Sequence, residues 1–169
     1  RTLLSVREYV RGIAATELED GRHTIPFIVG GSHALEYSNV AGLVDVYGKG
    51  NVGVIHFDAH ADTSAFGFGH YYTHGNPVRK LIEEGLIDGE DYIQVGLRGY
   101  YMDEDGANWM REQGMRYHTM VEIERRGWNA VLDDVIVEAQ RAADYLHISF
   151  DIDAVDPAYM PGTYTPEPG

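Results

Sequence analysis

Apolar positions along the chain switch between two periodicities. Residues 3–19 place Leu3, Leu4, Val6, Val10, Ile13 and Ala14 at helical spacing until Asp20-Gly21 interrupts them. Short apolar runs then alternate with longer helical stretches. The runs fall at 26–29, 52–57, 92–95, 115–118 and 145–150 and predict strands. Between them, 34–47, 104–113 and 129–143 predict helices, as does a stretch from Pro77 to Glu84-Gly85. Strands separated by helices build βαβ units, in which a parallel sheet is covered on both faces. The expected fold is α/β: a three-layer α/β/α arrangement around an open parallel sheet, because five strands are too few to close a barrel.

No repeat, low-complexity tract or Gly/Ser linker divides the 169 residues, so residues 1–169 read as a single domain. The chain opens at Arg1 without an initiator Met and stops in the turn-rich Thr165-Pro166-Glu167-Pro168-Gly169. That pattern reads as an excerpt of a longer protein, incomplete at both ends. Thirteen Lys and Arg stand against 27 Asp and Glu, a formal net charge of −14. Such an acidic chain is a poor partner for nucleic acid or anionic lipid and a good one for metals or a cationic small molecule. With no cysteine, disulfides, zinc–thiolate sites and thiol nucleophiles are excluded. No apolar run is long enough to span a membrane, and no signal peptide opens the chain, so a cytoplasmic location is expected.

In open parallel sheets, ligands gather beyond the carboxyl ends of the strands. Those positions carry Gly30-Gly31-Ser32-His33, Asp58-Ala59-His60-Ala61-Asp62, Gly96-Leu97-Arg98-Gly99 and Asp151-Ile152-Asp153. In extended chain, residues two apart share a face, so Asp58, His60 and Asp62 can point together, as can Asp151 and Asp153. His33 joins them. Carboxylates packed this closely repel one another, and divalent cations relieve that repulsion. Oxygen and imidazole donors without thiolate suit Mn²⁺, with Ni²⁺, Co²⁺ or Zn²⁺ as alternatives. Two such ions, roughly 3.5–4 Å apart, balance the four aspartates and ready a water for attack.

Each motif alone has a plainer explanation. An isolated Asp-x-Asp after a strand is more often a turn or cap. Asp-x-His-x-Asp at a strand end is a stronger signal, and the coincidence of all three favours a two-metal site. His56 and His147 read as buried histidines that support other groups. Arg98 reads as an ion-pair partner, and Gly96 and Gly99 as turn residues. Glu83-Glu84 and Asp103-Glu104-Asp105 read as solvated faces or caps.

At these residues the sequence resembles the ureohydrolase family of arginases, agmatinases, guanidinobutyrases and guanidinopropionases. The resemblance rests on Asp58-Ala59-His60-Ala61-Asp62, His74-Gly75, Ser149 to Pro157, and Pro161-Gly162 through Thr165 to Gly169. It implies the arginase-type fold, a dinuclear and usually manganese centre, and hydrolysis of a guanidino group to urea and an amine by a metal-bridging hydroxide. It also implies a homo-oligomer, trimeric or hexameric. Carried over by position, His33, Asp58, Asp62 and Asp151 would hold one ion. His60, Asp58, Asp151 and Asp153 would hold the other. Asp62 would relay a proton to the leaving amine, and His74, in the glycine- and tyrosine-rich stretch 63–75, would act as proton shuttle or general acid.

Departures from the family pattern bear on the substrate. Where arginases read an amino-acid head group, this sequence carries Ser64, His70 and Tyr101, which makes the reading agmatinase-like, with a cationic, non-arginine guanidino substrate. Ser32 stands where an aspartate usually precedes the first ligand histidine, and Tyr164 where a small residue usually precedes Thr-Pro. These two changes motivate the competing reading of a non-catalytic subunit of a heteromeric ureohydrolase. A metal-dependent deacylase on the same fold is the third.

Overall fold

The structure is a computed structural model that describes residues 2–65, 69–99 and 104–169. Its elements run in the order α1 (Thr2–Ala14), α2 (Leu35–Tyr47), β1 (Val52–Phe57), α3 (Pro77–Glu83), β2 (Tyr92–Leu97), α4 (Glu104–Glu112), β3 (Arg116–Thr119), α5 (Met120–Arg126), α6 (Trp128–Ala142) and β4 (Tyr145–Phe150). Four strands form one parallel sheet in the order β3-β2-β1-β4.

Alternation along β1 sends Val52 and Val54 to one face and Ile55 and Phe57 to the other. The first face packs with Val40, Val44, Val78 and Leu81 of α2 and α3. The second packs with Ile123, Val131, Val135 and Ala139 of α5 and α6. This two-sided cover is the three-layer arrangement expected from the sequence. It also explains why β1 and β2 are almost wholly buried.

Three elements differ from the sequence reading. Residues 26–29 form no strand: Phe27 and Val29 are exposed, and no neighbour among the described residues pairs with their backbone. A short apolar run becomes a strand only when another edge accepts its hydrogen bonds. The first helix ends at Ala14 rather than near 19, since Glu17 and His23 pair in an antiparallel bridge around a turn. α5 was not anticipated. It is only seven residues long, but Thr119 caps it by accepting from the Glu122 amide at 3.3 Å, and Thr-x-x-Glu is the sequence signal for such a start.

β4 is half-clothed. It pairs with β1 on one side, while Leu146, Ile148 and Phe150 remain exposed. An open groove of about 2350 Å³ runs from the polar strand ends along β4 to residues 25–32.

Candidate active site

The loops that follow β1, β2 and β4 are tied to one another by their backbones. The amide of Asp58 donates to the Val95 carbonyl at 3.1 Å, that of Arg98 to Ala59 at 2.9 Å, and that of Asp151 to Phe57 at 2.9 Å. The Gln94 side-chain amide reaches across from β2 to the Ala61 carbonyl at 2.7 Å. Parallel register therefore delivers all three loops to the same end of the sheet, where their polar residues line the groove.

His33, Asp58, His60, Asp62, Asp151 and Asp153 converge there. His33 Nδ1 lies 2.6 Å from Asp62 Oδ2, 3.4 Å from Asp58 Oδ2 and 3.9 Å from Asp151 Oδ2. His60 Nδ1 lies 3.2 Å from Asp153 Oδ2 and 3.5 Å from Asp58 Oδ1. Asp58 thus faces both histidines with different oxygens. Two sets of donor atoms lie within 4.8 Å of one another: His33, His56 and Asp58, and Asp58, His60 and Asp153.

The convergence has a different local cause from the one expected. Residues 58–62 are not extended. Asp58 Oδ1 accepts the His60 amide at 2.6 Å in a bend, and Asp62 adopts φ 51°, a left-handed conformation that aspartate tolerates. After β4, Asp151 likewise accepts the Asp153 amide, at 3.2 Å, in a 3₁₀ turn. The residues singled out by spacing do lie together, but side chain-to-backbone turns rather than extended chain bring them there.

Electrostatics match the crowding. Burial would lower the His33 pKa, but its bond to Asp62 and the charges of Asp62, Glu36 and Asp58 push it up to about 10. Burial opposes the charge on His60 too, yet Asp153 and Asp58 also push it up to about 10. Asp151 is raised by burial and by the charge of Asp58. Asp62 is raised by burial against the His33 bond. Asp58 is held below the usual carboxylate range: burial opposes this, but the charge and hydrogen bond of His56 prevail. The donor set is therefore oxygen and imidazole, oversupplied with negative charge, and fits hard or borderline divalent ions.

Supporting residues surround this set. His56 is fully buried, with Nε2 2.8 Å from Asp58 Oδ2 and Nδ1 3.3 Å from Gln94 Nε2. Both its nitrogens are thus engaged, as the reading of a supporting histidine requires. His147 Nε2 meets Glu36 Oε2 at 3.0 Å, and the Tyr92 hydroxyl donates to Glu36 Oε1 at 3.2 Å. Thr165 donates to Asp153 Oδ2 at 3.0 Å. Arg98 departs from the sequence reading: among the described residues its guanidinium donates to the carbonyls of Gly96, Asp153, Ala154 and Glu167 rather than to a carboxylate. Glu84 is likewise more than a solvated charge, since it accepts from Tyr37 at 2.6 Å and Tyr72 at 3.0 Å. Sequence reasoning overlooked Glu36 and Gln94, and included Glu167 only as part of the motif from Thr165 to Gly169, because each belongs to a helix, strand or turn whose position beside the site is set only by packing.

His74 lies on the groove wall, its ring edge-on to Tyr164 with centroids 5.5 Å apart. Its loop is pinned at the neck: the Ser64 amide donates to the Gly75 carbonyl at 3.0 Å. Buried Asn76 accepts from the Thr73 amide at 2.7 Å and donates to the Tyr71 carbonyl at 2.9 Å. Ser64 also lines the groove, whereas Tyr101 and Asp103 lie outside the described residues.

A parallel sheet with paired Asp and His motifs at its strand ends defines a class, and comparison with known proteins agrees. The chain belongs to the arginase family, whose model matches residues 2–169. It is 36% identical over 151 residues to a guanidinobutyrase of Pseudomonas aeruginosa, covering 88% of this chain and 46% of that protein. It is 41% identical over 150 residues to a guanidinopropionase of the same organism, covering 86% and 45%. Among solved structures, formimidoylglutamase from Bacillus subtilis superposes with a TM-score of 0.87 at 26% identity, over 99% of this chain and 50% of that one. The chain thus spans about half the length of the curated relatives it matches.

Proposed function

We propose that the full-length protein is an agmatinase-like amidinohydrolase that cleaves a cationic, non-arginine guanidino compound to urea and an amine. The observation that carries this reading is the meeting of His33, Asp58, His60, Asp62, Asp151 and Asp153 at one end of the sheet. In this proposal His33, Asp58, Asp62 and Asp151 hold one divalent ion, and His60, Asp58, Asp151 and Asp153 hold a second. Manganese is favoured, with nickel or cobalt as alternatives. Bound there, two divalent ions would supply Lewis acidity and a water acidic enough to attack the guanidinium carbon at neutral pH.

The chain's own groups do the rest. The acidic rim draws in the guanidinium. His74, on the groove wall, donates the proton that lets the amine leave as the C–N bond breaks, and Asp62 relays a proton toward the same nitrogen. Tyr164, edge-on to His74 on the groove wall, is the residue proposed to favour short substrates. The names of the guanidinobutyrase and guanidinopropionase relatives support a guanidino substrate. A single ureohydrolase domain, trimeric or hexameric assembly and a cytoplasmic setting belong to the same proposal.

The test is urea release by the full-length protein from agmatine, guanidinobutyrate, guanidinopropionate, guanidine and arginine, with Mn²⁺ and Ni²⁺ compared and bound metal counted. Asp58→Ala and Asp151→Ala should lose both metal and activity. His74→Ala should keep two ions and lose turnover by about 10²–10⁴-fold, the range for a general acid. Normal urea release by Asp151→Ala overturns the assignment, and a wild type holding well under two ions per chain points to the non-catalytic subunit.

A further inference from the structure

Glu167 is a buried carboxylate, 9% exposed, and its Oε1 stands 3.7 Å from His60 Nε2, the nitrogen facing away from Asp58 and Asp153. Three features of the neighbouring loops hold it there. Pro166 and Pro168 fix the backbone torsions on either side. The Arg98 guanidinium clamps the Glu167 carbonyl through Nη2 at 2.7 Å and Nε at 3.1 Å, while the same Nη2 holds the Asp153 carbonyl at 2.9 Å. Gly99 supplies the room: at φ 77°, a Cβ on it would lie 2.6 Å from Glu167 Cδ and 2.7 Å from either carboxylate oxygen. Arg98 and Gly99, just after β2, therefore both accommodate this one residue.

A neutral imidazole carries one N–H and one lone pair, and the group beside one nitrogen decides which the other presents. We infer that Glu167 is a positioning residue for His60: its carboxylate keeps the proton on Nε2, so that Nδ1 presents its lone pair to the cation shared with Asp58 and Asp153. This rests on the two-ion reading above and adds to it the group that orients one of its histidines. Such carboxylate–histidine–metal relays commonly change metal affinity by about 10- to 100-fold when the carboxylate is removed.

The test is Mn²⁺ titration of the metal-free full-length protein by calorimetry, with melting temperature of the metal-free form as the control for folding. Glu167→Leu, similar in volume but without an acceptor, should weaken one of the two Mn²⁺ ions by about 10- to 100-fold. Glu167→Gln, which keeps an acceptor oxygen, should restore binding. Two ions held by the leucine variant as tightly as by wild type overturn the inference, as does a rise in KM with unchanged metal affinity, which would make Glu167 a substrate contact. Wild type holding no ions overturns the two-ion reading instead. A measurement on the wild type alone decides the matter if the leucine variant does not fold. With diamagnetic Zn²⁺ bound, ¹⁵N shifts of the His60 ring should show a protonated Nε2 and a metal-bound Nδ1, and the reverse tautomer overturns the assignment.

Discussion

At the scale of single residues, the base of the site is governed by one buried ion pair. Glu36 is 2% exposed. Burial alone would raise its pKa, but the charge and hydrogen bond of His147 bring it down to about 2. His147 is raised in turn, since Glu36 outweighs the opposing effect of its burial. A carboxyl depressed in the folded state stabilises the protein above its unfolded value, and that stability is lost as pH falls through about 2. A raised histidine stabilises below its unfolded value and loses that contribution as pH climbs through its folded one. Glu36→Gln should therefore cost about 3–5 kcal/mol near neutrality, because it strands its partners in the interior. It should also flatten the stability loss between about pH 4.5 and 2. Chemical denaturation across that range measures both; an unchanged acid limb would show that the pair does not act this way. His147 was legible as a buried histidine, but its partner was not, because Glu36 is 111 positions away and sits on another element.

Elements meet with little tolerance where α1 crosses α2. A Cβ on Gly42 would lie 2.8 Å from the Arg7 carbonyl and 2.9 Å from Val10 Cβ, and the Arg7–Asp45 pair at 2.6 Å ties the helices beside that contact. Alanine normally gains about 1 kcal/mol over glycine inside a helix. Gly42→Ala should nevertheless lower the melting temperature, because overpacking costs about 1–3 kcal/mol. Gly12→Ala is the internal control: nothing lies within 4 Å of the added carbon, so the same substitution should stabilise. If both variants raise the melting temperature, helix propensity rather than the crossing governs. Helical periodicity found both helices in the sequence, yet could not say which glycine lies at their contact. The strand at 26–29 failed for a related reason, since a short apolar run does not carry its own pairing partner.

For the molecule as a whole, β4 is an edge strand whose apolar side chains stay exposed among the described residues. Ile148 is 64% exposed and Phe150 58%, and both line the same groove as Phe27, which is 90% exposed. An exposed apolar edge strand is a template for pairing with other chains. The 169-residue chain should self-associate in a concentration-dependent way, and Ile148→Lys should reduce this while leaving the metal-free melting temperature close to the parent's. Sedimentation measures the first and thermal denaturation the second; association untouched by the lysine places the contact elsewhere. What the sequence determined unaided was local: most of the alternation of strands and helices, and the residue types and strand-end positions of Asp58, His60, Asp62, Asp151 and Asp153, whereas the strand expected before His33 does not form. These follow from side-chain periodicity and chain direction, which are properties of neighbours along the chain. Tertiary structure alone decided that turns rather than extended chain aim those aspartates, that Arg98 binds carbonyls, and that Glu36 and Glu167 stand behind the histidines. Such pairings depend on register and packing between distant segments, for which a single sequence carries no distance.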